Sequence, residues 1–520
     1  MPLRRHHCLA RPPLAARLAA VLACSAALAA LAGCAVGPDY HRAATPVAAA
    51  YKETPAGWKV AEPADHADRG PWWAIYGDAR LSGLIDTLNA NNQTIAQFDA
   101  AYRQARALVG EARAAYFPTL GLSASASRSG QRLSRSGAAG STGTVSGIGN
   151  TFNVALDASW EPDLWGKVSR TVAAQEAGQQ GAAADLANAR LSAQATLAQT
   201  YFQLRALDAS QKLLDDTVAA YAQALKLTQN QYAQGVVARS DVIQAQTQLQ
   251  SAQASAIDNG VARAQAEHAI AALIGQSAST FSLPPIPLDA EPPTVPVGVP
   301  SALLERRPDI AAAERRALAA NEQIGVAMSA YFPSLTLTAQ GGFESSVLSK
   351  LFTLPSRFWT LGPDLAATLF DGGLRRAQTE AARAAYDQQV AVYRQTVLGA
   401  FQEMEDDLAS QRILAQEIVV QRQAVDSARQ ALAIVTNEYK AGTVGYVNVL
   451  TAQTTAFAAE QKLANLAGQR MVSSVGLVKA LGGGWDVAQM NREPQRAGRA
   501  GTEHGERDAR TQVSAGGYRE

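Results

Sequence analysis

The chain has 520 residues with 46 Lys+Arg against 45 Asp+Glu, and charged residues make up only 18% of it. A net charge of +1 excludes a strongly basic nucleic-acid binder, so no nucleic-acid partner is expected. Three cysteines and six histidines, no two of the latter close together beyond the first ten residues, exclude a disulfide scaffold and a Cys-rich metal centre, and no catalytic residue, metal site or enzyme chemistry is predicted.

Residues 1–33 read as a signal peptide. Arg4, Arg5, Arg11 and Arg17 form a basic start without an acid, and Leu18 to Leu31 is an Ala-rich apolar run too short for a comfortable membrane span. The run ends in Leu31-Ala32-Gly33-Cys34, which resembles a bacterial lipobox. Cys34 is therefore expected to be the first mature residue and to carry covalent lipid, the one non-protein group expected. An ordinary signal peptide with a chance cysteine is the plain alternative. Ala35 in the next position, in place of Asp, favours the outer over the inner membrane in lipoproteins generally. Cleavage removes four Arg and leaves 42 basic against 45 acidic residues. The mature chain has no apolar stretch of 18 residues, so no membrane-spanning helix is predicted.

Residues 34–80 form an extended N-terminal segment, after which the chain repeats itself. Ala114-Ala115-Tyr116-Phe117-Pro118-Thr119-Leu120 returns as Ser329-Ala330-Tyr331-Phe332-Pro333-Ser334-Leu335, and Asn230-Gln231-Tyr232-Ala233-Gln234-Gly235 returns as Asn437-Glu438-Tyr439-Lys440-Ala441-Gly442, with offsets of 215 and 207. The period is far longer than a solenoid unit, so this is a tandem duplication. Repeat 1 covers 81–283: a helix, strands 119–128 and 151–161, a long helix 166–234 and a return helix 240–275. A Pro-rich linker spans 284–300. Repeat 2 covers 301–484: a helix, strands 334–343 and 359–370, a long helix 373–441 and a return helix 446–481. Residues 485–520 are charged, carry Gly and Pro, lack an apolar period, and are expected to be disordered.

The long helices carry a 3.5-residue seam. Leu204, Leu207, Gln211, Leu214, Val218, Tyr221, Leu225, Thr228 and Tyr232 are matched by Gln411, Leu414, Ile418, Gln421, Val425, Ala428, Leu432, Val435 and Tyr439. Helices alone would describe a coiled-coil rod, but the strands do not fit one. Phe152, Val154, Leu156, Ala158 and Trp160 alternate with Asn153, Ala155, Asp157 and Ser159, and aromatics (Tyr116, Phe117, Trp160, Phe332, Trp359) mark the segment ends. That is the pattern of a transmembrane β-barrel wall. Four strands cannot close, and an open edge is not tolerated in lipid, so the chain is expected to oligomerise; three copies supply twelve strands.

The stretch Gly33-Cys34-Ala35-Val36-Gly37-Pro38-Asp39-Tyr40, the Trp72-Trp73 pair with Tyr76 and Asp78, and Leu304-Glu305-Arg306-Arg307-Pro308-Asp309-Ile310 resemble the TolC-like outer membrane factors, in particular the NodT/OprM-type efflux lipoproteins. The resemblance covers about residues 33–483. It implies a mixed α and β fold: a homotrimer with a 12-stranded β-barrel in the outer membrane, continued by a 12-helix periplasmic tunnel. It implies an exit duct for drugs or other toxic small molecules, a periplasmic membrane-fusion adaptor and an inner-membrane resistance-nodulation-division pump as partners, and contact with outer membrane lipid. Protein secretion or heavy-metal export stays open as an alternative, as does a coiled-coil periplasmic adaptor, which the strands disfavour.

On that resemblance, Gly235, Val236, Val237, Gly442, Thr443 and Val444 are candidate adaptor-docking residues at the two helix–turn–helix tips. Tyr232, Asp241, Tyr439 and Asn448 are periplasmic gate candidates. Glu403, Glu405, Asp406 and Asp407 form an acidic run that either faces solvent or charges a tunnel wall. Cys34→Ser should abolish incorporation of radiolabelled fatty acid and leave a larger precursor on a gel; lipid labelling that persisted in the variant would remove the lipoprotein reading.

Overall fold

The computed structural model describes residues 35–45, 51–53, 71–136, 142–295 and 303–485. The predicted signal peptide, Cys34 and residues 486–520 lie outside that set. A single 3-10 turn at Trp72–Tyr76 precedes α1 (Ala79–Asn91) and α2 (Gln93–Ala114), then β1 (Thr119–Ser136), β2 (Thr142–Trp160), α3 (Lys167–Ala233) and α4 (Arg239–Leu273). The second copy runs α5 (Pro308–Ser329), β3 (Ser334–Ser345), β4 (Arg357–Ala366), α6 (Leu374–Lys440) and α7 (Tyr446–Ala480). Each long helix has 67 residues, about 100 Å at 1.5 Å per residue. Among the described residues no helix is long and apolar enough to cross a membrane.

The duplication is one of sequence, not of space. Two compact units form among the described residues, and each draws on both copies: one from 35–43, 104–136, 142–179 and 314–391, the other from 44–45, 51–53, 71–103, 180–295, 303–313 and 392–485.

The first unit carries a four-stranded antiparallel sheet in the order β1-β2-β3-β4. Register pairs Leu122 with Leu156, Asp157 with Gln340, Leu337 with Pro363 and Ala339 with Leu361. One face therefore collects Leu120, Leu122, Leu156, Leu361 and Leu365, all exposed, while the other collects Ser123, Asp157, Gln340 and Asp364. On the polar face Ser123 Oγ and Gln340 Nε2 both donate to the Asp157 carboxylate, at 2.7 and 2.6 Å. Strands β1 and β2 run well past the expected ends at 128 and 151. Their extra residues pair only with each other, from Ser129↔Gly149 to Ser136↔Thr142, and their Gly/Ser-rich sequence has no apolar alternation to announce a strand. Strand β4 stops at Ala366, short of the expected 370, because its partner β3 begins at Ser334, after Pro333, which has no N–H to pair.

Where the sheet meets the helices, the repeated Tyr-Phe-Pro motif has a packing role. Trp165 stacks on Phe332 at 4.8 Å and donates from Nε1 to the Pro333 carbonyl. Trp160 donates to the Tyr116 carbonyl. The start of the described chain is held here too. Val36 N donates to the Trp165 carbonyl, and the nearly buried Arg170 donates to the Gly37 and Pro38 carbonyls and pairs with Glu322 at 2.8 Å. Glycine is required at 325, since a Cβ there would lie 2.1 Å from Arg170 Cδ.

The second unit has the main apolar core. Leu81, Leu84, Ile85 and Leu88 of α1 meet Tyr201, Phe202 and Leu204 of α3, Ile270 and Ile274 at the end of α4, Met404 and Leu408 of α6, and Met471 and Val475 of α7. In the seams, Leu204, Leu214, Tyr221, Thr228, Ile418, Val425, Ala428 and Tyr439 are buried. The seam glutamines stay hydrogen-bonded: Gln211 accepts from Asn259, and Gln411 and Gln421 donate to the Arg470 and Ala459 carbonyls of the return helix. Trp485, expected in the disordered tail, packs instead with Ala184, Ala311 and Ala312, because the turn Gly482–Gly484 brings the chain back.

Removing Arg170 would leave Glu322 buried without its partner, a loss of about 3–5 kcal/mol. Arg170→Met should therefore lower the thermal midpoint more than Gly325→Ala, and both should expose residues 35–45 to limited proteolysis.

Candidate functional site

The two helix–turn–helix tips lie in the second unit and are built alike. Gly235 and Gly442 both sit at φ 75°, the left-handed position that closes a helix. Gly235 N donates to Tyr232 O and Val236 N to Gln231 O; Gly442 N donates to Tyr439 O and Thr443 N to Glu438 O. This paired bonding is a Schellman cap in both copies. Neither glycine has any atom within 4 Å of a would-be Cβ, so the backbone angle, and not crowding, selects glycine.

The six tip candidates separate by environment. Gly235, Val236, Gly442 and Thr443 are exposed, and Thr443 donates its hydroxyl to the Glu438 carbonyl. Val237 and Val444 do not form part of that surface. They pack inward on a cluster of Ala245, Tyr439, Tyr446 and Val449, with Leu225 and Val435 alongside, that joins the two hairpins.

The gate candidates separate as well. Tyr439 is buried, its hydroxyl 3.2 Å from Thr228 Oγ1 and its ring 5.6 Å from that of Tyr446. Burial raises the pKa of both phenols, that of Tyr446 to about 12, and the nearby Asp241 carboxylate adds to each shift. Tyr439 is thus a fastening between hairpins within one chain. Its equivalent in the first copy, Tyr232, is 46% exposed. Asp241 is half-buried in the first turn of α4, and its equivalent, Asn448, is exposed. Identical positions in the repeat therefore have one inward and one outward tyrosine.

The acidic run on α6 does not act as one free cluster. At about 100° per residue Glu405 points away from Glu403 and Asp407, which share a face. Glu403 pairs with the buried Arg307, which also grips Asp309 at 2.7 Å. Glu405 accepts from Lys52 N and Glu53 N. Asp407 lies against α7, where a Cβ on Gly476 would meet its Oδ1 at 2.7 Å. Asp406 alone of the four is exposed with only a long contact from Gln402, at 3.4 Å.

A buried polar relay went unread in the sequence. Asp78 caps α1 through Arg80 N and Leu81 N and accepts from Tyr201 Oη at 2.6 Å; Arg205 donates to the same hydroxyl at 2.8 Å. Asp208, 1% exposed in its side chain, accepts from Arg263 and from Ile286 N, and Arg263 also donates to the Leu283 carbonyl. The relay pins the Pro-rich linker to α3 and α4. Arg412, at the equivalent position to Arg205, pairs instead with Glu53. Charged residues recurring at the same place in two Ala-rich helices were the available signal.

The outer membrane efflux protein model matches residues 84–276 and 299–483. The chain belongs to the outer membrane efflux protein family. It is 32% identical over 470 residues to the antibiotic efflux pump outer membrane protein ArpC of Pseudomonas putida, covering 89% of this chain and 96% of that one. It is 30% identical over 460 residues to the cation efflux system protein CusC of Escherichia coli, covering 88% and 97%. The solved outer-membrane channel OprN superposes with a TM-score of 0.78 at 29% identity, covering 87% of this chain and all of that one. The protein is thus an outer membrane efflux protein with a channel fold, as the resemblance to the outer membrane factors implied.

Burial first, then Glu403 and Asp406, push the Asp407 carboxyl up to about 7, against the pull of Lys479. Because the folded pKa exceeds the unfolded value of about 4, the folded state binds the extra proton between the two, and stability should fall as pH rises from about 4 to about 7. Asp407→Asn should flatten that slope in urea midpoints measured across the interval.

Proposed function

We propose that the protein is the exit duct of a tripartite efflux system, a homotrimer that passively conducts toxic small molecules delivered by an inner-membrane pump through a periplasmic adaptor. It performs no catalytic step. The observation that carries this reading is the sheet: four strands in the order β1-β2-β3-β4, apolar on an exposed face. The outer edges of β1 and β4 have no strand partner among the described residues. Unpaired backbone is not tolerated in lipid, and pairing β4 of one copy with β1 of the next closes a wall of twelve strands with three copies. Exposed Ile413, Val419, Val420 and Ile434 on α6 and Ile257 and Val261 on α4 supply apolar surface for the same association.

In this reading the lipid on Cys34 and the barrel both hold the protein in the outer membrane. Gly235, Val236, Gly442 and Thr443 present backbone and small side chains to the adaptor, while Tyr232, Asp241 and Asn448 stand where the closed end is controlled. Asp406 is the acid of the α6 run left to charge a wall. Relatives named for antibiotics and for cations are matched at similar identity, which supports a reading in which the pump, not the duct, selects the cargo.

The test has two parts. Purified protein should migrate as a trimer before heating and conduct ions in a planar bilayer; a stable detergent monomer would contradict the strand arithmetic. Gly442→Leu should cost about 1 kcal/mol of turn stability, since a side chain is forced into a left-handed backbone. Trimers of the variant should still reach the outer membrane, yet drug sensitivity should rise to that of the deletion strain. Normal export by a correctly assembled Gly442→Leu trimer, with export lost in Asp406→Asn, would place the working end elsewhere on the helix.

A further inference from the structure

The loop joining β3 to β4 has an order and a composition that the hairpin itself does not require. Residues 346–357 carry five apolar side chains, one lysine, one arginine and no acid. Residues 136–142 at the β1–β2 tip, by contrast, are all Gly, Ala, Ser or Thr. The β3–β4 loop is built as two short 3-10 turns. Thr353 and Ser356 donate their hydroxyls to the Lys350 carbonyl at 2.7 and 2.8 Å, and Leu351 is buried beneath. This fixed frame leaves Leu348, Phe352 and Leu354 exposed by 63%, 72% and 83%.

The direction of the loop is settled by one ring contact. Phe352 packs edge-on against Phe343 at 5.6 Å. Phe343 pairs across the sheet with Val154 and Arg357, so it lies on the face that carries Leu156, Trp359 and Leu361. The loop thus folds over the apolar side of the sheet and extends that surface beyond the last strand pair. The exposed Lys350 and Arg357 flank the apolar side chains, and neither has an ion-pair partner among the described residues. Apolar side chains continuous with a lipid-facing wall, bordered by unpaired cations, are the chemistry of a membrane boundary.

We propose that residues 346–357 are an interfacial anchor seated in the outer leaflet of the outer membrane, with Leu348, Phe352 and Leu354 among acyl chains and Lys350 and Arg357 at headgroup phosphates. The proposal rests on the reading of the apolar sheet face as lipid-facing. The loop lies at the strand ends away from α5 and α6, which puts it on the outer side when those helices are periplasmic. It would set the depth of the barrel and resist sliding of the hairpin along the membrane normal.

Depth quenching tests it. Leu354→Cys and, as a control on the strand, Leu361→Cys are labelled with an environment-sensitive fluorophore, and the unsubstituted protein reports any label taken by native cysteine. The trimers are reconstituted in vesicles of phosphatidylcholine brominated on its acyl chains, mixed with phosphatidylglycerol. We expect the label at 354 to be quenched by the brominated chains, as at 361, and shielded from aqueous iodide. Quenching at 361 combined with iodide access at 354 puts the loop in water and overturns the anchor alone. Shielding at 354 from both quenchers assigns the loop to contact with a second copy and also overturns it. No bromolipid quenching at 361 removes the lipid-facing reading of the sheet, and the anchor with it. The headgroup part is read separately: Lys350→Glu with Arg357→Glu should lower bromolipid quenching at 354 about two-fold, and unchanged quenching would overturn the phosphate contact.

Discussion

The second unit depends on one buried polar relay, Asp78–Tyr201–Arg205–Asp208–Arg263. Arg205 and Asp208 are nearly solvent-free, and charges in such surroundings are tolerable only when every partner is present. The relay supplies them from four places at once: the cap of α1, the middle of α3, the face of α4 and the backbone of the linker. Because the partners are main-chain groups as well as side chains, it fixes the path of an irregular segment that has no periodicity of its own. Arg412 repeats the arrangement with Glu53 in the second copy, so both extended segments are fastened by an arginine at the same helical position.

The opposite condition governs the sheet. Its apolar face is exposed and, among the described residues, the outer edges of β1 and β4 have no strand partner, so the sheet is left incomplete. A helical core satisfies its backbone within each helix, and the second unit can bury its own seam. Strands cannot do this, and on the proposed reading their edges are met by further copies of the chain. On that reading stability and assembly fall to different secondary structures of one chain.

At the tips, duplication has produced equal backbones and unequal side-chain roles. Both turns use the same glycine-closed cap, yet Tyr439 fastens the hairpins together while Tyr232 faces out. The asymmetry arises because the inward position between two hairpins can be filled only once. Tyr439, Tyr446 and Val449 fill it from the second copy, and Ala245, Leu225 and Val237 add smaller side chains from the first.

Much of this was legible in the sequence because it depends on local pattern. The duplication, the 3.5-residue seams, the alternating strands and the two turn glycines each follow from spacing along the chain, while the resemblance to the family rests on short motifs at 33–40, 72–78 and 304–310. The long β1–β2 ribbon was not legible, since its Gly/Ser-rich sequence has no apolar alternation; its pairing continues the register of the strands below. Nor could spacing show that Glu403, Glu405 and Asp407 serve separate partners, or that Val237 and Val444 turn inward. Those facts are decided by what each side chain meets across the fold, Arg307, the backbone at 52–53, Gly476 and a shared aromatic cluster, and the distances that bring such partners together exist only once the chain has folded.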